Sequence, residues 1–180
     1  MRLLLAGVLC VSGAVCAGPD PTEQEAEAIA RQFVEELRPT LGAALKSGPP
    51  SEAIEICAEY APALAHRLSS ETGWTVRRVS LRPRNPGAAP DAWERARLRQ
   101  FDEVVSAGFS LGPVSELIDG RLRYLVPQQT GAVCLLCHGE SIDADTARAL
   151  DKLYPADQAR GYQPGEVRGA ISLTSPATGS

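Results

Sequence analysis

The amino-acid sequence predicts an α+β domain, with helices first and a mainly antiparallel sheet after them. Three observations carry this expectation. Apolar residues recur at helical spacing through the first half, alternating segments split by an Asp-Gly pair fill the second half, and no internal repeat or low-complexity run interrupts either.

The chain of 180 residues opens with "MRLLLAGVLCVSGAVCAGPD", in which Arg2 precedes an apolar run from Leu3 to Ala17. That is the pattern of a secretory signal peptide. The run is shorter than the roughly 20 residues that span a bilayer, and Pro19 and Pro21 stop any helix behind it. Cleavage after Ala17 gives a signal peptide of residues 1–17 and one domain of residues 18–180, in the periplasm or otherwise exported. Cys16 invites a lipoprotein reading, but Val15 is bulkier than such a site takes. No later run is long enough to cross a membrane, so no membrane span is expected after cleavage.

Residues 22–46 place Ile29, Phe33, Val34, Leu37 and Leu41 on one helical face, and Pro39 is expected to bend or restart that helix. "SEAIEICAEYAPALAHRLSS" reads as a second helix with Ser51 as N-cap and Ile54, Cys57, Ala61, Leu64 and Leu68 as its stripe. Gly73 closes it, and "WTVRRVSLRPRNP" alternates as a strand until Pro83 and Pro86. Asp91 and Glu94 form a capping-box pattern, which opens a third helix carrying Trp93, Leu98, Phe101, Val104 and Val105 to Gly108. "VSELI" and "RLRYLVP" are joined by Asp119-Gly120, the favoured pair for a two-residue hairpin turn. A short helix over residues 143–153, a turn-rich loop and a last strand, "VRGAISLT", complete the chain.

The formal net charge of −4 argues against nucleic acid as a partner, because phosphate binding needs a basic surface. Of the five cysteines, cleavage would leave Cys57, Cys134 and Cys137, an odd number for an exported chain. A disulfide framework would strand one thiol. Two thioethers and one iron-ligating thiolate would use all three.

"CLLCH" supplies two thiols, Cys134 and Cys137, spaced to reach two haem vinyl groups, with His138 beside the second to meet the iron. The competing uses fit less well. A zinc site needs about four ligands, and only Cys57 and His66 would remain to supplement this triplet; a thioredoxin-like dithiol normally follows a strand within a βαβ unit. Haem c, one per chain and covalent, is the expected cofactor. Methionine is absent beyond Met1, which removes a His/Met site. The distal candidates are Cys57, His66, a lysine, water or nothing. Nine residues apart on one regular helix, Cys57 and His66 would point to nearly opposite sides, so only one could face the haem. Cys57, on the apolar stripe, is the better placed.

"RRVSLRPRNPGAAPDAWE", with Cys57 upstream and "YLVP", "CLLCHG", "YPADQARGY" and "GEVRGAIS" downstream, resembles a bacterial c-type haem family with a PAS-like haem domain, formerly a domain of unknown function. The resemblance covers residues 26–172. It implies a PAS-like antiparallel sheet with N-terminal helices packed on it. It also implies haem held through Cys134 and Cys137, His138 as proximal ligand and a thiolate from Cys57 opposite. Arg78, Arg82 and Arg84 then lie where bonds to haem propionates would orient the cofactor. Trp93 and Tyr124 could pack on the porphyrin or in an ordinary core. Tyr154, Asp157 and Tyr162 receive no role.

The function expected is that of a one-electron carrier or a redox or ligand sensor, working with a separate redox or signalling protein partner and open to a small diatomic ligand. A haem enzyme with an open distal site, acting as a peroxidase or small-molecule reductase, is the alternative. A haemless thiol oxidoreductase is a third.

Overall fold

A computed structural model describes residues 21–177 of the chain. The signal-peptide reading of residues 1–17, with Cys10 and Cys16, falls outside the described residues.

Helix α1 (Glu23–Ser47) starts at Thr22, whose hydroxyl accepts from the Glu25 amide (3.2 Å) while the Glu25 carboxylate accepts from the Thr22 amide (2.9 Å). This reciprocal cap is worth about 1 kcal/mol. The helix runs through Pro39 without a break, so it does not restart there. The bond that proline removes is confined to one turn, where Thr40 Oγ1 donates to the Glu36 carbonyl at 2.8 Å.

The second helix also departs from expectation. Pro49, not Ser51, is its N-cap, because Pro50 suits a first helical position whose amide needs no partner. Helix α2 (Pro50–Glu55) widens into a π-helical turn over Ile56–Tyr60 and resumes as α3 (Ala61–Thr72), which Gly73 closes with φ of 76°. Strand β1 (Thr75–Val79) and a 3-10 turn (Pro86–Ala88) follow, and then α4 (Ala92–Ser106) with the expected Asp91/Glu94 capping box. Strands β2 (Val114–Ile118) and β3 (Arg121–Gln129) turn through Asp119 and Gly120, both at positive φ, as that hairpin requires. A 3-10 turn (Ala132–Cys134), α5 (Leu135–His138), α6 (Ala144–Leu153) and β4 (Val167–Thr174) finish the chain.

The four strands form one antiparallel sheet in the order β1-β4-β3-β2. Helices with this sheet make the α+β domain the sequence predicts. Side chains alternate across it. Val76, Tyr124, Ile171 and Leu173 face α1 and α3, where Phe33 and Leu68 complete one core. Val79, Leu125 and Ala170 face α4 and pack on Leu98 and Phe101. Glu94 is buried on this second side, where its carboxylate accepts from Ser172 Oγ (2.7 Å) and pairs with Arg123 (3.3 Å).

One irregularity in the sheet matters for the site. Gln128 pairs with Gly169 but Gln129 pairs with Val167, which leaves Arg168 as the extra residue of a bulge. Bulges re-aim side chains.

Candidate functional site

The C-x-x-C-H segment is one helical turn. Cys134 has right-handed helical dihedrals (φ −68°, ψ −30°) and α5 runs on from it. Residues 134, 137 and 138 are therefore related as i, i+3 and i+4 and share a face. Cys134 and Cys137 are half-buried free thiols. Burial pushes the Cys137 thiol up, Arg84 draws it down, and the Cys57 and Cys134 sulfurs push it up again. Cys57 and Cys134 thus each lie within electrostatic reach of Cys137.

Glycine ends this turn for a steric reason. A Cβ on Gly139 would stand 2.7 Å from the Leu135 carbonyl oxygen. Beyond it the Tyr162 amide donates to the His138 carbonyl (2.9 Å) and the Gly161 amide to the Gly139 carbonyl (2.9 Å), so the turn is stitched to a distant loop.

His138 Nδ1 lies 2.7 Å from the Ala159 carbonyl oxygen. An oxygen acceptor there holds the proton on Nδ1 and puts the lone pair on Nε2, the tautomer a metal ligand needs. Arg168 Nε is 3.2 Å from Nδ1 and 3.4 Å from Nε2; with Nδ1 donating to Ala159, only Nε2 can accept from it. Burial first, then the Arg168 and Arg84 charges, push His138 down to about 2. The ring is neutral at any physiological pH. Burial likewise pushes Arg168 down to about 10.

A cavity of about 410 Å³ opens beside this ring, within the size range of small-molecule and cofactor sites. Its walls include His138, Cys57, His66 and Tyr154. Cys57 and His66 thus face the same space, a correction to the expectation that only one could. The cause is the π-helical turn that contains Cys57: it under-rotates the chain, so the half-turn separation of a regular helix is lost.

Among the described residues four arginines line the cavity, Arg77, Arg78, Arg84 and Arg168, and no aspartate or glutamate does. Arg77 donates to the Ala89 carbonyl (2.6 Å) and approaches Glu94 (4.0 Å). Arg84 is buried against Asp157 (3.1 Å). Arg168 Nη1 donates to Ser80 Oγ (3.0 Å), and its guanidinium has no carboxylate partner among the described residues. Arg78 alone of the four has neither a hydrogen bond nor an ion pair among the described residues.

Of the three arginines singled out from sequence, the structure therefore brings Arg78 to the cavity with a free guanidinium, and Arg84 with most of its donors spent. Arg82 is not on the wall; its Nε donates to the Gln158 carbonyl (3.2 Å) and its guanidinium lies 4.2 Å from the centre of the Tyr162 ring. Trp93 and Tyr124 are also elsewhere: Tyr124 is core, and Trp93 Nε1 donates to Glu116 at 2.6 Å. Arg168 escaped the sequence reading. A glycine inside an otherwise regular strand pattern, Gly169, was the available signal of a bulge. Among the described residues no three His, Cys, Asp or Glu side chains converge to hold a bare metal ion, so a zinc site is not assembled.

The model of the Tll0287-like family (Tll0287) matches residues 21–176. The chain belongs to the Tll0287-like family. Among solved structures it is similar to the cyanobacterial haem protein Tll0287, with 25% identity and a TM-score of 0.68; the match covers 87% of this chain and 97% of that one. No curated protein matches. The Tll0287-like unit takes in the cysteine turn, the π-helical turn and the bulge alike, so all the walls of the cavity belong to it.

Proposed function

We propose that this Tll0287-like chain is an exported protein that binds one haem covalently as haem c and acts as a one-electron carrier or a redox or ligand sensor. The observation that carries the reading is that His138 and Cys57 open onto one acid-free cavity with two uncompensated arginines. The likeness to a cyanobacterial haem protein supports it.

The residues present fit that group. Cys134 and Cys137 would each add S–H across a vinyl double bond, sulfur to one carbon and hydrogen to the other. His138 would offer Nε2 to the iron, and Cys57, also on the cavity wall, would offer its sulfur as a thiolate. Arg78 and Arg168 carry the two charges that two propionates require. Haem bound there would supply one-electron redox chemistry and, once a distal ligand left, a site for a small diatomic molecule. The Cys57 thiolate would favour the ferric state and hold the potential below that of a His/Met site. Electrons or the signal would pass to a separate protein partner in the periplasm.

One observation favours the haem-enzyme reading: His66, an exposed imidazole, also faces the cavity and could act as an acid or base.

The test is expression with the native leader beside haem-attachment machinery. A pyridine haemochrome on the denatured chain reports covalent haem, and low-temperature electron paramagnetic resonance reports the ligands. Low-spin thiolate signals that vanish in Cys57→Ser support the carrier or sensor. A high-spin wild type whose peroxide turnover survives Cys57→Ser but falls in His66→Ala would replace it with the enzyme.

A further inference from the structure

We infer that Arg84, braced by Asp157, is a positioning residue for His138: its guanidinium shares the Ala159 carbonyl with the His138 Nδ1–H and so limits how strongly that imidazole donates. This rests on the reading of His138 as an iron ligand.

The carbonyl of Ala159 has two donors. His138 Nδ1 reaches it at 2.7 Å and Arg84 Nη2 at 3.2 Å. The same Nη2 donates to the Cys137 carbonyl (2.5 Å), so one guanidinium nitrogen holds the backbone on both sides of the His138 ring. The fork is fixed from behind, because Arg84 Nε donates to Asp157 Oδ1 (3.1 Å), which also accepts from the Ala159 amide (2.8 Å). Arg160 Nε takes the other Asp157 oxygen at 2.9 Å.

An oxygen that already accepts a charge-assisted bond has less electron density for a second donor. His138 Nδ1–H therefore keeps its proton, and the ring gains less imidazolate character than a lone carbonyl would induce. A ring of that kind is a weaker donor to iron, which favours the ferrous state and raises the potential.

Arg84→Lys separates this geometry from charge, since lysine keeps the cation but cannot hold three acceptors in a planar fork. In the covalent holoprotein, the midpoint potential should fall and the His138 Nδ1–H proton resonance should move downfield. Arg84→Gln should move both further in the same direction. Arg82→Gln removes an equal charge without touching Ala159 and should leave the resonance in place. Wild-type values in Arg84→Lys would overturn the inference, as would an equal resonance shift in Arg84→Gln and Arg82→Gln. Absence of covalent haem from the wild-type chain would instead fail the underlying haem reading, an outcome distinct from these.

Discussion

Arg77 and Arg78 are consecutive on β1 and both border the cavity, but their side chains leave opposite faces of the sheet and meet different partners. On the α4 side Arg77 finds carbonyl acceptors and Glu94, and Arg123 bonds both Glu94 (3.3 Å) and Asp91 (2.7 Å). Acids there match the arginines. On the cavity side Arg78 and Arg168 find no carboxylate among the described residues. A half-buried cation set that is internally matched contributes to the fold, whereas one left unmatched is disposed to take an anion from outside. The two faces of one strand thus separate stability from binding.

The strongest way to break that division is to remove the covalent anchor. Cys134→Ser with Cys137→Ser should abolish haem retention on the denatured chain, as read by a haem stain of denaturing gels, while urea unfolding of the protein stays cooperative.

Next in size is the matched face. Glu94→Ala leaves Arg123 and Ser172 without their partner and should cost about 3–5 kcal/mol in urea unfolding. Haem per folded molecule should not change. A loss of haem in folded Glu94→Ala would show that the faces are not independent.

Arg78→Leu should do the reverse. It breaks no hydrogen bond or ion pair, so stability should move by no more than about 1 kcal/mol. Haem content, or the absorption spectrum of what is bound, should change measurably. The same substitution at Arg77 should cost more stability, because it breaks the bond to the Ala89 carbonyl.

The smallest effect expected is the acid limb of stability. Burial pushes the Asp157 carboxyl up, but the Ala159 amide, Arg160 and Arg84 together hold it below the usual carboxylate range. Its folded-state value lies below its unfolded one, so its contribution is present above about pH 4 and is lost as pH falls through the folded value. Urea midpoints followed from about pH 7 to about pH 3 should decline less steeply in Asp157→Asn than in wild type. Equal slopes would exclude Asp157 as a source of the acid sensitivity.

Much of the domain was legible because local chemistry specifies it. The Asp119-Gly120 hairpin, the Asp91/Glu94 cap and the strand from Val167 to Thr174 all follow from turn, cap and alternation rules. The spacing of Cys134, Cys137 and His138 also fixes its own geometry, since any helical turn puts them on one face. What escaped depends on departures from a regular repeat. A π-helical turn moves Cys57 and His66 into register by one extra residue, and Pro62, which cannot donate to a regular ladder, is the local hint of it in "EICAEYAP". Glu94 was legible as a cap but not as the buried centre of a charge network, because Ser172 and Arg123 reach it only across the folded sheet. Arg82 and Arg84 look equivalent along the chain. Only the tertiary partners, Tyr162 for one and Asp157 for the other, tell them apart.

The bulge at Arg168 has an evolutionary corollary. Gln129 pairs with Val167 and Gln128 with Gly169, so deleting residue 168 would restore an unbroken ladder without shifting a single core side chain to the other face. A one-codon insertion or loss at this point therefore adds or strips the arginine beside His138 while the hydrophobic frame stays in phase. The backbone here is free to gain or shed its charged lining in one genetic step, and lineages sharing this sheet can diverge in what they hold without rebuilding how they fold.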